Sequence, residues 1–182
     1  MSDEETNSVE VFIEVTKDSN IKYEHKNGKL VCDRVLHCPM VYSYNYGYLP
    51  NTLAGDGDPL DIVVVTGYRL LPSCYIQCKI LGVLYTRDEK GMDEKLIAVP
   101  ISKVDPYMRD INKLSDLKEI QRDKIKFFFE HYKKLEPNKW VEVTGWGDKE
   151  AALAVYNTSV ARFMESEDGG EEGIGEVEEE DV

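Results

Sequence analysis

Apolar residues recur at two different spacings along this chain, and the order of those spacings narrows the folds open to it. Val9, Val11, Ile13 and Val15 alternate with polar neighbours, the period-two mark of a half-buried strand. Lys22 to His25 and Leu30 to Cys32 flank Asn27-Gly28, a strong hairpin turn signal because both residue types tolerate positive φ. Leu60 to Val65 is a β-branched run suited to a strand buried on both faces, and Tyr75 to Tyr85 and Leu96 to Val99 add two strands around a charged loop. Then the period changes. Ile125, Phe128, Phe129 and Tyr132 fall at i, i+3, i+4 and i+7, one stripe of an amphipathic helix, with Asp116 and Glu119 as a capping box at its start. A short strand, Trp140 to Thr144, precedes a turn at Gly145-Trp146-Gly147, and a last helix from about Asp148 turns Ala152, Val155, Tyr156, Ser159 and Phe163 inward. Many short strands followed by helices predict an α+β fold, mainly β: a small Greek-key-like barrel with helices packed outside.

Charge divides the chain differently. The 182 residues carry a formal net charge of -13. From Glu165 to Val182 there are ten acidic residues and no basic ones, which leaves about -3 for the rest. The expectation is one catalytic domain over 1–164 and an acidic, glycine-rich, disordered tail over 165–182, since that segment has almost nothing to bury. A mildly acidic body argues against nucleic acid as partner. No window reaches the ~18 apolar residues of a membrane span, and the acidic, polar stretch Met1 to Asn7 is unlike a secretory signal. The expectation is a cytoplasmic protein that engages no membrane. Cys74 and Cys78 would lie roughly 13 Å apart along a strand, too far to share a zinc ion. Cys32 and Cys38 lack zinc-knuckle spacing, and His25, His37 and His131 are scattered, so four free thiols are expected.

The sharpest chemical signal is Asp56-Gly57-Asp58-Pro59-Leu60-Asp61. Three carboxylates within six residues repel one another unless a cation sits among them. Gly57 lets the backbone bend and Pro59 fixes φ, so the acids lie on a tight turn entering a buried strand. Hard oxygen donors grouped this way suit magnesium or manganese. Read as a calcium-binding helix–loop–helix, the motif fails, because its glycine position would be Asp61. A second acidic group, Asp88-Glu89 and Asp93, lies between two strands, and Asp93 and Lys95, two residues apart, share a face. A third group is basic and phenolic: Lys22 and Glu24 on one strand face, Arg34, the alternating Tyr42, Tyr44, Tyr46 and Tyr48, and Tyr132-Lys133. Lys, Arg and phenolic hydroxyls are the donors that a phosphate-rich ligand needs. Together these residues describe a cup with carboxylates for divalent cations on one side and phosphate donors on the other.

From about Val9 to Glu165 the chain resembles the soluble family I inorganic pyrophosphatases. The resemblance rests on the acidic motif and on Ile21-Lys22-Tyr23-Glu24, Asp33-Arg34, Asn45-Tyr46-Gly47-Tyr48, Asp88-Glu89 through Lys95, and Phe128-Phe129-Glu130-His131-Tyr132-Lys133. It implies an OB-like five-stranded barrel with flanking α-helices, and hydrolysis of pyrophosphate to two phosphates with several Mg2+ ions per site. By the same resemblance Asp56, Asp61 and Asp93 hold a first metal, and Asp61 bridges to a second. Asp58 is the base for the attacking water, Asp88 and Asp93 hold a third metal, and Glu24 assists a further one through water. Lys22, Arg34, Tyr46, Lys95, Tyr132 and Lys133 match phosphate-binding positions, while Glu14 and Tyr42 match supporting ones. Ser43 replaces the family's usual proline. The resemblance implies a homo-oligomer, a hexamer as in bacterial members; those often carry histidine at the position of Phe127, where it contributes to hexamer contacts, and Phe127 departs from that pattern. The alternatives are a non-catalytic phosphate- or polyphosphate-binding module and a single-strand nucleic-acid-binding OB-like barrel; the latter's groove would be basic and aromatic rather than lined by carboxylates.

Overall fold

The computed structural model describes residues 3–168. After a short helix α1 (Asp3–Thr6) come β1 (Val9–Val15), β2 (Ile21–Lys26), β3 (Lys29–Val35), β4 (Asn45–Tyr48), β5 (Asp61–Val64), β6 (Tyr75–Asp88), β7 (Gly91–Met92) and β8 (Lys95–Pro100). Two single-turn 3-10 helices lead into α2 (Glu119–His131), followed by β9 (Val141–Gly147) and α3 (Lys149–Asp168). The strands β1, β4, β5, β8 and β6 pair in that order, and β6 pairs back onto β1, so five strands close into a ring. All of these pairings are antiparallel except β5 with β8. Closure removes the free edges that a five-stranded sheet would otherwise expose. The long β6 runs past the ring and takes β7 and β9 as extra partners. The hairpin β2–β3 forms a separate two-stranded sheet, turning at Asn27 and Gly28, both at positive φ.

Alternation decides which core each side chain joins. Ile62 and Val64 join Val11, Ile13, Ile80, Leu96 and Ala98 in one cluster, against which α3 packs Val155 and Tyr156. Val63 and Val65 face the other way, with Leu81, Leu84, Ile97 and Val99, and meet Ile125, Phe128 and Phe129 of α2. That is why the strand after the acidic motif is apolar on both faces. Each fully buried Leu, Ile or Val contributes on the order of 1.5–3 kcal/mol of transfer free energy. Gly47 is needed where β4 crosses β1, since a Cβ there would stand 1.8 Å from the carbonyl oxygen of Phe12.

Two local readings differ from the structure. Asp116 and Glu119 form no capping box for α2. The Asp116 carboxylate instead accepts from the amides of Asn112 and Lys113 (2.9 and 3.0 Å), closing the preceding 3-10 turn, and Gln121 accepts from the Lys118 amide at 2.9 Å where α2 begins. Gly145, Trp146 and Gly147 are no turn but the end of β9, paired with Tyr85, Leu84 and Val83. Of the alternating tyrosines, Tyr46 and Tyr48 lie on β4, which starts only at Asn45, while Tyr42 and Tyr44 lie on its approach. The last helix starts at Lys149, directly after Asp148, whose carboxylate accepts from the Ala151 amide at 2.9 Å. It continues through Asp168, so the first four residues expected to belong to the tail are helical; residues 169–182 lie outside the described ones. The four cysteines are free thiols. No helix among the described residues is long and apolar enough to cross a membrane.

Candidate active site

One cavity of about 440 Å³ gathers residues from almost every part of the ring. Glu14 comes from β1, Lys22, Glu24 and Arg34 from the hairpin, and Tyr42 and Tyr46 from β4 and its approach. Asp56, Asp58 and Asp61 come from the acidic turn, Asp88, Asp93 and Lys95 from β6 to β8, and Tyr132 and Lys133 from the end of α2. Every site residue expected from the sequence therefore lines this one cavity. Register explains much of this convergence. Lys22 stands opposite Arg34 across the hairpin, and Asp61 stands beside Tyr48 on one side and Lys95 on the other.

At the acidic turn Gly57 adopts φ +88, a conformation that favours glycine, and the Asp58 amide donates to Asp56 Oδ1 at 3.0 Å. The turn is thereby held by its own first carboxylate. Asp58 itself is exposed, and no cation among the described residues lies within ion-pair distance of Asp56 or Asp58. Lys95 is only 3% exposed and its ammonium sits between Asp61 Oδ2 (2.5 Å) and Asp93 Oδ1 (2.7 Å). Burial works against that charge, but the carboxylates of Asp61 and Asp93 outweigh it and hold the ammonium protonated. Lys133 Nζ makes the corresponding pair with Asp88 Oδ2 at 3.0 Å.

The opposite wall is aromatic. Tyr42 lies 4.4 Å from the Phe128 ring and 5.1 Å from the Tyr46 ring, and Phe128 stacks on Tyr132 at 5.1 Å, so α2 fixes the phenols from behind. Burial raises Tyr42 and Tyr46 well above the usual phenol range and raises Tyr132 as well, so all three remain hydroxyl donors at neutral pH.

The donor set suits hard divalent cations. Nine carboxylates and six basic side chains line the cavity, an excess of three negative charges. Burial pushes the Glu14 carboxyl up to about 7, against the pull of Lys22, and Asp61, Glu24 and Asp33 push it the same way. Burial raises Asp93 too, despite Lys95. In both, burial is the larger cause, and a cation bound beside them would offset it. As the side chains stand, no three acidic, imidazole or thiol groups among the described residues converge on one point that could hold an ion, and Lys95 fills the space between Asp61 and Asp93.

Further residues reach the cavity without having been assigned a role. Tyr48 was visible in the tyrosine alternation, and Glu89 lies beside Asp88. Glu136 and Lys139 lie in an irregular stretch after α2 that carries no pattern, and Lys90 is the tip of a turn.

The family model for inorganic pyrophosphatase matches residues 11–164. An inorganic pyrophosphatase of Nanoarchaeum equitans is 55% identical over 155 residues, covering 85% of this chain and 97% of its own. One from Saccharolobus solfataricus is 51% identical over 156 residues, covering 85% and 91%. Among solved structures, the inorganic pyrophosphatase of Helicobacter pylori superposes with a TM-score of 0.85 at 44% identity, covering 90% of this chain and 98% of its own. That of Coxiella burnetii gives 0.83 at 41%, covering 86% and 95%.

Proposed function

The chain belongs to the inorganic pyrophosphatase family of hydrolases, and on that premise we propose that this cavity splits pyrophosphate into two orthophosphates by a magnesium-activated water, with Asp58 as general base. Asp56, Asp61 and Asp93 would hold a first cation, Asp61 also a second, and Asp88 with Asp93 a third, Glu24 assisting a further one through water. Magnesium bound there supplies Lewis acidity, lowering the pKa of water and offsetting phosphate charge.

The chain's own residues do the rest. Asp58, exposed on the acidic turn and unpaired with any cation among the described residues, accepts the proton of the attacking water. Lys22, Arg34, Lys95 and Lys133 donate to phosphate oxygens, as do the protonated hydroxyls of Tyr46 and Tyr132. Lys95 and Lys133 are already ion-paired, so substrate oxygens replace carboxylates as their acceptors and free Asp61, Asp88 and Asp93 for cations. Glu14 supports Lys22 from 3.9 Å, and Tyr42 supports Tyr46 by ring contact. The observation that carries this reading is the single cavity with three surplus negative charges facing a wall of phosphate donors.

Phosphate release from pyrophosphate, measured with Mg2+ and again with EDTA, tests it. Metal-dependent release is expected, and its absence would leave a binding module. Asp58→Asn should keep the fold and lose roughly 10²–10³ in turnover, the usual cost of one such contact; wild-type turnover would remove Asp58 as the base.

Residues 1–164 form the catalytic domain in this reading. Four free thiols suit a reducing cytoplasm. Phe127, 57% exposed and stacked on His131 at 4.0 Å, borders a largely apolar cavity of about 510 Å³ with Ile120 and Val41. That face fits a second copy of the chain in a homo-oligomer, and light scattering after size exclusion would read a monomer if it does not.

A further inference from the structure

The end of β6 is fastened to the stretch after α2 by contacts on three consecutive residues. Arg87 pairs with Glu142 at 2.6 Å and its guanidinium carbon lies 5.9 Å from the Trp140 ring. Asp88 pairs with Lys133 at 3.0 Å, and Glu89 pairs with Lys139 at 2.9 Å. Both ends of this row are locally shaped for it. On one side the Lys90 amide donates to Asp88 Oδ1 at 2.8 Å, closing the turn into β7. On the other, Asn138 adopts φ +61, a left-handed conformation that reverses the chain immediately before Lys139.

The middle pair belongs to the site already described, and it is nearly buried, with Asp88 6% and Lys133 13% exposed. The outer pair is different. Glu89 and Lys139 line the same cavity at 25% and 39% exposure, and neither has a place in the cation- or phosphate-binding set. If Lys133 is to trade Asp88 for a phosphate oxygen, the middle pair breaks at the moment when its two members must stay close. The β6–β9 ladder, which sets Asp88 opposite Val141, holds the strand ends together, and the Glu89–Lys139 pair extends that hold past the ladder to the β6–β7 turn and the segment that carries Lys133.

We propose that Glu89 and Lys139 are positioning residues whose ion pair clamps the β6–β7 turn to the segment after α2, keeping Asp88 and Lys133 side by side while both change partners. The clamp rests on the reading of Asp88 and Lys133 given above. It acts on affinity for cation and substrate together, because the two groups it aligns serve one each. Its size follows from its exposure: a partly exposed pair is worth about a two- to fivefold change in an equilibrium.

The test uses the full chain as wild type, Glu89→Gln, Lys139→Met, the double Glu89→Gln/Lys139→Met, and the charge exchange Glu89→Lys/Lys139→Glu. Calorimetric titration with methylenediphosphonate, a non-hydrolysable pyrophosphate, in the presence of Mg2+ gives affinity without turnover. Each single variant should bind about two- to fivefold more weakly, and the Mg2+ concentration for half-maximal phosphate release should rise by a similar factor, more than kcat falls. The double should be no weaker than either single, and the exchange should recover affinity to within about twofold of wild type. Singles that match wild type, or a double whose loss is the product of the two single losses, overturn the clamp. An exchange variant that folds and binds no better than the singles does the same, since each charge would then act on the ligand directly. A wild type that neither binds the diphosphonate nor releases phosphate overturns the reading of the whole site, a result distinct from an active wild type with indifferent singles.

Discussion

Replacing Glu14 by glutamine should make the metal-free protein more stable at pH 8. The side chain is 12% exposed, its nearest cation is Lys22 at 3.9 Å, and burial with surrounding acids raises its carboxyl from 4.5 to about 7. A carboxyl whose folded value is raised binds its proton more tightly in the native state. It therefore contributes stability below pH 4.5 that is lost as pH rises to about 7, and little changes above that. At about 1.4 kcal/mol per pH unit, that interval corresponds to up to about 3 kcal/mol. Glutamine keeps the shape without the charge, so it avoids the loss. Urea unfolding in EDTA, at intervals from pH 4 to pH 8, is the assay. The two proteins should match near pH 4 and separate progressively to pH 7, the variant being the more stable, and saturating Mg2+ should narrow the gap by supplying the missing positive charge. Equal stability at pH 8, or a gain that is the same at every pH, would refute the claim that Glu14 is a buried carboxylate short of countercharge.

Two further outcomes concern the frame that holds the site. Gly47→Ala should destabilise by roughly 3 kcal/mol or more, because its Cβ would meet the backbone of Phe12 rather than a movable side chain; a melting temperature within a few degrees of wild type would show that β4 and β1 can separate cheaply. Glu4→Gln should cost about 1–2 kcal/mol, since Glu4 pairs at 2.8 Å with Lys79, which is 8% exposed, and also accepts from Ser102. The bond from Lys79, then that from Ser102, lowers the Glu4 carboxyl, so this contribution is present above pH 4.5 and fades as pH falls below it. Denaturant unfolding at pH 7 and pH 3 should show the difference at the first and little of it at the second.

Much of the architecture is written locally. Alternation in Val9 to Ile13 and the hairpin at Asn27-Gly28 depend only on which face each residue takes and which φ it tolerates, and both are found as the sequence predicts; at Val15 the register of β1 on β4 shifts and the side chain joins the other core cluster. The acidic turn is equally local: Gly57 bends it and Asp56 braces it, whatever lies across the ring. Two elements differ from local expectation, the first through a competing local bond and the second through a tertiary one. Asp116 closes a 3-10 turn instead of capping α2, and Gly145 to Gly147 extend a strand because β6 runs far enough to pair with them.

What the amino-acid order could not decide is which distant segments meet. Asp61 and Lys95 are 34 residues apart, and Asp88 and Lys133 are 45 apart, yet each pair is in contact. Those meetings follow from the register of β5 on β8 and from the pairing of the far end of β6 with β9, the strand after α2. A residue's period fixes the face it occupies; its partner is fixed by a hydrogen-bonded ladder with chain far away in sequence. The set of charged and phenolic groups was therefore legible from the sequence alone. Their assembly into one cavity, with Glu89 and Lys139 at its wall and Lys95 between two carboxylates, belongs to the closed ring.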